Sequence, residues 1–201
     1  LSIGDDGTRV FFNYKSVENE NVPSSSGVEV WNGNDKLVYL EKKVQGDFKT
    51  STKTAVWNPF SNKVFPLSTS ELPKFIMSAD QKHALLYNSV AYEPQWEMDS
   101  PIDLFLIDTH SGKKKMLIEK QSAELGTTVV SPSGKYVAYF KDRNWWIYNI
   151  KTDTHTDVTK NINSSFSGKV EVLVPESVYR IAGWSLQDKE ILIYDEFDIW
   201  A

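Results

Sequence analysis

The chain has 201 residues, a net charge of −5 and no cysteine. That length is enough for one domain of ordinary size. The mild negative charge excludes the basic stripe of a nucleic-acid-binding surface, and the missing thiols exclude disulfides and cysteine nucleophiles. Apolar residues at 40% and aromatics at 13% mark a globular chain rich in strand formers. No run approaches the ~18 apolar residues of a membrane-spanning helix. The chain opens at Leu1 in strand-like sequence, as a processed product or an excised segment would, so any export signal is expected outside it.

In chain order, a polar turn followed by a run of β-formers recurs four times. It appears as Gly4-Asp5-Asp6-Gly7-Thr8-Arg9-Val10-Phe11-Phe12, then as Ser78-Ala79-Asp80-Gln81-Lys82-His83-Ala84-Leu85-Leu86-Tyr87. The clearest copy is Ser131-Pro132-Ser133-Gly134-Lys135-Tyr136-Val137-Ala138-Tyr139-Phe140, and the last is Trp184-Ser185-Leu186-Gln187-Asp188-Lys189-Glu190-Ile191-Leu192-Ile193-Tyr194. With Gly7, Gln81, Gly134 and Asp188 taken as equivalent, the steps are 74, 53 and 54 residues. Pro and Ser open such a turn, and Gly supplies the positive φ that lets the next strand reverse.

A second phrase follows each of the first three copies: a strand, an Asn or Asp, and an Asn, Gly or Asp four residues on. The pairs are Asn58 with Asn62, Asp108 with Gly112, and Asn149 with Asp153. Each pair brackets a tight turn into a further strand. A four-stranded antiparallel unit repeating at fifty-odd residues is the pattern of a propeller blade. Near-continuous apolar runs such as Tyr136–Phe140 and Ile191–Tyr194 fit strands covered on both faces, and the rings of Trp145 and Trp146 should point to opposite faces. A β-sandwich with evenly spaced strands is the plainer alternative, and the paired phrases favour blades.

The expected fold is therefore all-β: a partial β-propeller of about three and a half four-stranded antiparallel blades, with a long insertion in the first. The whole chain, 1–201, reads as one incomplete propeller domain with blade units at about 1–67, 73–118, 126–158 and 178–201. The fourth stops early in its third strand, at Ile199-Trp200-Ala201. Its open edge is expected to favour self-association.

The units differ in the spacing from first phrase to second: 15 residues from Gly134 to Asn149, 27 from Gln81 to Asp108, and 51 from Gly7 to Asn58. The extra length falls between second and third strands, at 15–53 and 88–102, and a further long connection runs from 159 to 177. In an up-and-down blade these connections leave at the same end, which makes that end the expected working face. Within the first excursion, Val28–Trp31 reads as a short strand and Leu37–Phe48 as a short helix.

These residues carry a family likeness. Val28-Glu29-Val30-Trp31, Ser131–Phe140, Trp145-Trp146-Ile147-Tyr148-Asn149 and Tyr194-Asp195-Glu196-Phe197-Asp198-Ile199-Trp200 occur here in order. With them the chain resembles the propeller domain of bacterial prolyl oligopeptidase-family serine peptidases, in the dipeptidyl-peptidase-like branch. The resemblance implies an α/β-hydrolase domain with a Ser-Asp-His triad C-terminal to the propeller, peptide substrates, and a propeller that caps the active site and gates entry. It also points to an exported, periplasmic protein. No nucleic acid, membrane span, metal or other cofactor is expected.

The chain itself shows no catalytic residues. Gly183-Trp184-Ser185-Leu186-Gln187 lacks the last Gly of a nucleophile elbow and precedes a strand instead of a helix, so Ser185 reads as a turn residue. His83, His110 and His155 show no metal-ligand spacing. Asp5-Asp6 and Asp195-Glu196-Phe197-Asp198 read as turn-capping carboxylates. Relatives that remove dipeptides hold the substrate's N-terminal amine with paired glutamates on a propeller insertion. No adjacent Glu pair occurs here, and Glu93 and Glu97, in the second excursion, are the substrate-binding candidates that the resemblance leaves. The favoured reading is a non-catalytic segment that gates a serine exopeptidase; the alternative is a free-standing propeller of the TolB or WD type serving as a protein-binding platform. The sequence beyond Ala201 would separate them.

Overall fold

A computed structural model of the chain describes residues 1–15, 32–37, 48, 51–95, 100–168 and 177–201. The expected strand at Val28–Trp31 lies outside the described residues, as does nearly all of the expected helix at Leu37–Phe48.

Among the described residues, fifteen strands make four antiparallel sheets, each with its strands in chain order. The first holds β1 (Ser2–Ile3), β2 (Val10–Tyr14), β3 (Lys53–Asn58) and β4 (Lys63–Pro66), and the second β5 (Lys74–Met77), β6 (His83–Tyr87), β7 (Ile102–Asp108) and β8 (Lys114–Gln121). The third holds β9 (Thr128–Val130), β10 (Tyr136–Lys141), β11 (Asn144–Asn149) and β12 (Thr154–Asp157). The fourth has three strands: β13 (Ile181–Trp184), β14 (Ile191–Tyr194) and β15 (Ile199–Trp200). The fold is all-β, and its sheets are the blades of a partial propeller, the fourth reaching only its third strand.

Two turns recur, the first in all four units and the second in the first three. In the first turn, one backbone hydrogen bond spans five positions: the N–H of Gly4, Ser78, Ser131 and Ser185 donates to the carbonyl of Arg9, His83, Tyr136 and Glu190, at 2.8–2.9 Å. The chain can close this loop only with a left-handed residue inside it. Gly7, Gln81, Gly134 and Asp188 all take positive φ, at 68°, 58°, 67° and 59°. Where the sequence supplies Ser, its Oγ accepts the N–H five residues on: His83 to Ser78, Tyr136 to Ser131, Glu190 to Ser185, at 2.9–3.0 Å. In the second turn, Asn58, Asp108 and Asn149 accept N–H groups of the turn on Oδ1. The residue four on, Asn62, Gly112 or Asp153, again has positive φ.

The chain divides into two compact units, residues 1–76 with 84–120, and residues 77–83 with 121–201. In the first, the buried Arg9 donates to Asp6 Oδ2 at 2.6 Å and to Thr109 Oγ1 at 2.5 Å, joining the β1–β2 turn to the end of β7. A Cβ at Gly112 would lie 3.0 Å from Phe65, so that turn packs directly on a strand of the first sheet. In the second unit, Ala138, Phe140 and Trp145 share a core with Phe166, Ile191 and Ile193. Trp145 is fully buried. Trp146, on the opposite face, is half-buried: it stacks on Tyr139 with 6.3 Å between ring centroids and donates through Nε1 to the Lys141 carbonyl.

Candidate functional site

The second excursion leaves β6 at Asn88. The Asn88 Oδ1 accepts the Val90 N–H at 3.0 Å and its Nδ2 donates to the Glu71 carbonyl, so the loop starts anchored. The chain then brings Tyr92 back over the sheet. Its hydroxyl donates to Asp103 Oδ1 at 2.7 Å, and the same oxygen accepts the Lys120 N–H at 2.9 Å. The Lys120 ammonium lies 5.9 Å from the Tyr92 ring centroid, a cation–π distance. Tyr92, Asp103 and Lys120 thus tie the loop to β7 and β8. The hydrogen bond to Asp103 raises the Tyr92 hydroxyl pKa, with burial and the Asp103 charge adding to it, up to about 12.

This anchor holds Glu93 at a fixed place in the loop, after which a cis bond leads into Pro94. The part-buried carboxylate accepts from Gln95, from the backbone N–H at 3.2 Å and from Nε2 at 3.4 Å. An ionised carboxylate has about four lone-pair sites, so it retains capacity to meet a cation. Glu97 lies outside the described residues. Spacing along the chain gave no hint of the anchor, because Asp103 and Lys120 meet only across paired strands.

Each sheet taken by itself shows where its second-to-third-strand connection emerges. In the first, Leu67 and Ser68, just past β4, bond to Thr54 at the start of β3. In the second, Lys120 near the end of β8 bonds to Asp103 at the start of β7. In the third, Val158 and Thr159 bond to Trp145, beside the β10–β11 turn. Within each of these three sheets, the connection between the middle strands and the exit of the fourth strand share an end.

A cleft lies within the unit that contains residues 121–201. It has a volume of about 370 Å³ and is lined by Tyr136, Ile147, Trp184, Ile191, Ile193 and Trp200 among others. Tyr136 and Trp184 stack along it, 5.8 Å apart and 7° from parallel. Its buried carboxylate, Asp188, is engaged: it accepts the Ser133 N–H and the Ser133 hydroxyl. Burial pushes the Asp188 carboxyl up, but the hydrogen bonds from Ser133 and Ser131 and the Lys135 charge outweigh it, and the pKa falls below the ordinary value. A carboxylate held ionised in this way is a structural latch and a poor general acid.

The remaining polar residues serve turns. Ser185 precedes the short 3₁₀ turn Leu186–Asp188 without capping it through its side chain, and its Oγ accepts the Glu190 N–H. His110 Nδ1 lies 3.3 Å from Asn58 Nδ2, and His155 Nδ1 lies 2.8 Å from the Tyr139 hydroxyl. Asp195 accepts from Ser164, Trp200 Nε1, Phe197 N–H and Asp198 N–H, which together hold its carboxyl far below the usual range. Among the described residues, no group of three or more His, Cys, Asp or Glu could hold a metal ion. None of the described helices is long and apolar enough to cross a membrane.

Comparison with known proteins agrees with the blades. No curated protein matches the chain. Among solved structures it is similar to dipeptidyl peptidase 4 of Porphyromonas gingivalis, at 22% identity and a TM-score of 0.42, over 59% of this chain and only 18% of that one. The model of the family described as the dipeptidyl peptidase IV (DPP IV) N-terminal region matches residues 78–198, three of the four turn-and-strand repeats and more than half of the chain, and the chain belongs to that family.

Proposed function

We propose that this chain is the non-catalytic propeller segment of a prolyl oligopeptidase-family serine exopeptidase, capping its active site and gating the entry of peptides. The observation that carries the reading is membership of the dipeptidyl peptidase IV N-terminal region family, over residues 78–198. On this reading an α/β-hydrolase domain follows C-terminally and supplies the Ser-Asp-His triad. The blade ends that bear the long connections face the substrate. Glu93, carried by the Tyr92–Asp103–Lys120 anchor, and Glu97 from the same excursion receive the substrate's N-terminal ammonium.

The test uses the parent polypeptide and this chain side by side, on chromogenic dipeptidyl substrates. The parent is expected to turn over substrates with a free N-terminus, and residues 1–201 alone to turn over none. In the parent, Glu93→Gln should raise KM for free-amine substrates and leave N-blocked substrates unchanged. Turnover by residues 1–201 that disappears on Ser185→Ala would overturn the reading. A parent that continues into further blades and no hydrolase would favour the free-standing binding platform.

A further inference from the structure

Asn32-Gly33 is the one Asn-Gly step in the sequence. Both residues are exposed. Asn32 opens a turn in which its carbonyl accepts the Asp35 N–H at 3.1 Å and its Oδ1 accepts the Asn34 N–H at 3.0 Å. A Cβ built on Gly33 would meet nothing within 4 Å, and the Gly33 φ lies outside the left-handed region. We propose that Asn32 is a spontaneous modification site, where the side-chain amide is lost and the residue becomes aspartate or isoaspartate.

The Gly33 backbone nitrogen gives its proton to hydroxide and attacks Asn32 Cγ. A C–N bond forms, the Cγ–Nδ2 bond breaks, and ammonia leaves with a proton taken from water. The resulting five-membered imide then takes up one water. Opening on the Cγ side gives aspartate, and opening on the main-chain carbonyl side gives isoaspartate. One water enters and one ammonia departs, with no change of oxidation state.

Three features of the turn favour this reaction. Glycine leaves the attacking nitrogen uncrowded, and it gives the chain the freedom to bring that nitrogen over Cγ. The Asn34 N–H already donates to the oxygen that gains negative charge in the tetrahedral intermediate, as an oxyanion-hole donor does. The hydrogen bonds holding the turn are open to water, so local opening is cheap. Asn58 and Asn149, whose Oδ1 atoms also accept backbone N–H groups, lack the first feature: Pro59 and Ile150 follow them in place of glycine.

The product adds one negative charge to the first excursion, and isoaspartate also lengthens the main chain by one methylene. The test is ageing of the purified chain at physiological temperature and mildly alkaline pH. Peptide masses and labelling by an isoaspartyl methyltransferase report the product. The peptide bearing Asn32 should convert first, in proportion to hydroxide concentration. Gly33→Ala should slow it to the rate of the other asparagines without changing the melting temperature, because the space around Gly33 is open. Asn32→Ser, which has no side-chain carbonyl for the Gly33 nitrogen to attack, should abolish the methyltransferase label at this peptide. Conversion at an undiminished rate in Gly33→Ala, or an Asn32 that keeps its amide while other asparagines lose theirs, would overturn the assignment.

Discussion

The sheets β1–β4 and β9–β12 are built on the same two turns and join their middle strands in opposite ways. In the later sheet, β10 passes to β11 through Asp142 and Arg143, both with positive φ, at 53° and 64°. That is the tight hairpin whose twist matches the strands it joins. In the earlier sheet, β2 ends at Tyr14 and β3 begins at Lys53, yet the two pair in register from Val10 with Trp57 to Tyr14 with Lys53. The cost of closing a loop grows only slowly with its length, so a blade tolerates a long excursion at this position without changing its register. The turns specify the blade, and the connection between the middle strands is left free to vary.

Four measurements would break or sharpen that contrast. The largest effect is expected in the core of the later region. Trp145 is fully buried and meets Phe140 edge-on, whereas Trp57 in the earlier sheet is 38% exposed. Trp145→Ala should cost about 3–5 kcal/mol in denaturant unfolding, and Trp57→Ala about 1 kcal/mol or less. Equal losses would mean that Trp57 is covered in solution.

The turn glycines come next. Gly7 and Gly134 share a positive φ, but a Cβ on Gly7 meets nothing within 4 Å, while one on Gly134 falls 2.4 Å from Asp80 Oδ1. Gly7→Ala should cost about 1 kcal/mol, from the left-handed backbone alone. Gly134→Ala should cost about 2–3 kcal/mol, since Asp80 must also move. Asp80→Ala in the same chain should recover part of the difference, and no recovery would refute the steric account.

A smaller loss is expected at the turn serine. Ser131 is buried and accepts the Tyr136 N–H at 3.0 Å, so Ser131→Ala should lower stability by about 1 kcal/mol. Gly4 stands at that place in the first sheet, where the turn closes through backbone bonds without the hydroxyl.

The smallest effect is one of pH. Asp195 is held ionised by Ser164 first, then by Trp200 and two backbone N–H groups. Because its folded pKa is depressed, its contribution is complete above the ordinary carboxylate value of about 3.9 and is lost as pH falls toward the folded value. Asp195→Asn should therefore flatten the melting temperature's dependence on pH from about pH 4 downward. An unchanged acid limb would show that the hydrogen bonds to Asp195 do not persist in solution.

Much of the blade plan was legible because its signals are local. Gly7 and Gly134 announce a left-handed turn by themselves; Gln81 and Asp188 do not, and only their place in the repeat marked them. The candidate site was legible to a lesser degree. Glu93 stood out as a loop carboxylate, but nothing in the spacing joined Tyr92 to Asp103 or Asp103 to Lys120, since the three meet only after β7 and β8 pair. That Trp145 and Trp146 point to opposite faces was legible; that one face buries its ring fully and the other only by half was not.

Sequence alone determined the order of the blade strands, the places of the repeated turns, and the unequal connections. Each of these depends on residues within a few positions of one another, through backbone φ preference, side-chain caps and alternation. Only the tertiary structure decided which carboxylates hold the sheets and which stay available. Asp188 is bound to Ser133, Asp103 anchors Tyr92 and Lys120, and Glu93 keeps acceptor capacity in its loop. A carboxylate's role follows from the donors that strand pairing and sheet packing bring to it, and those donors lie up to 55 residues away in the chain.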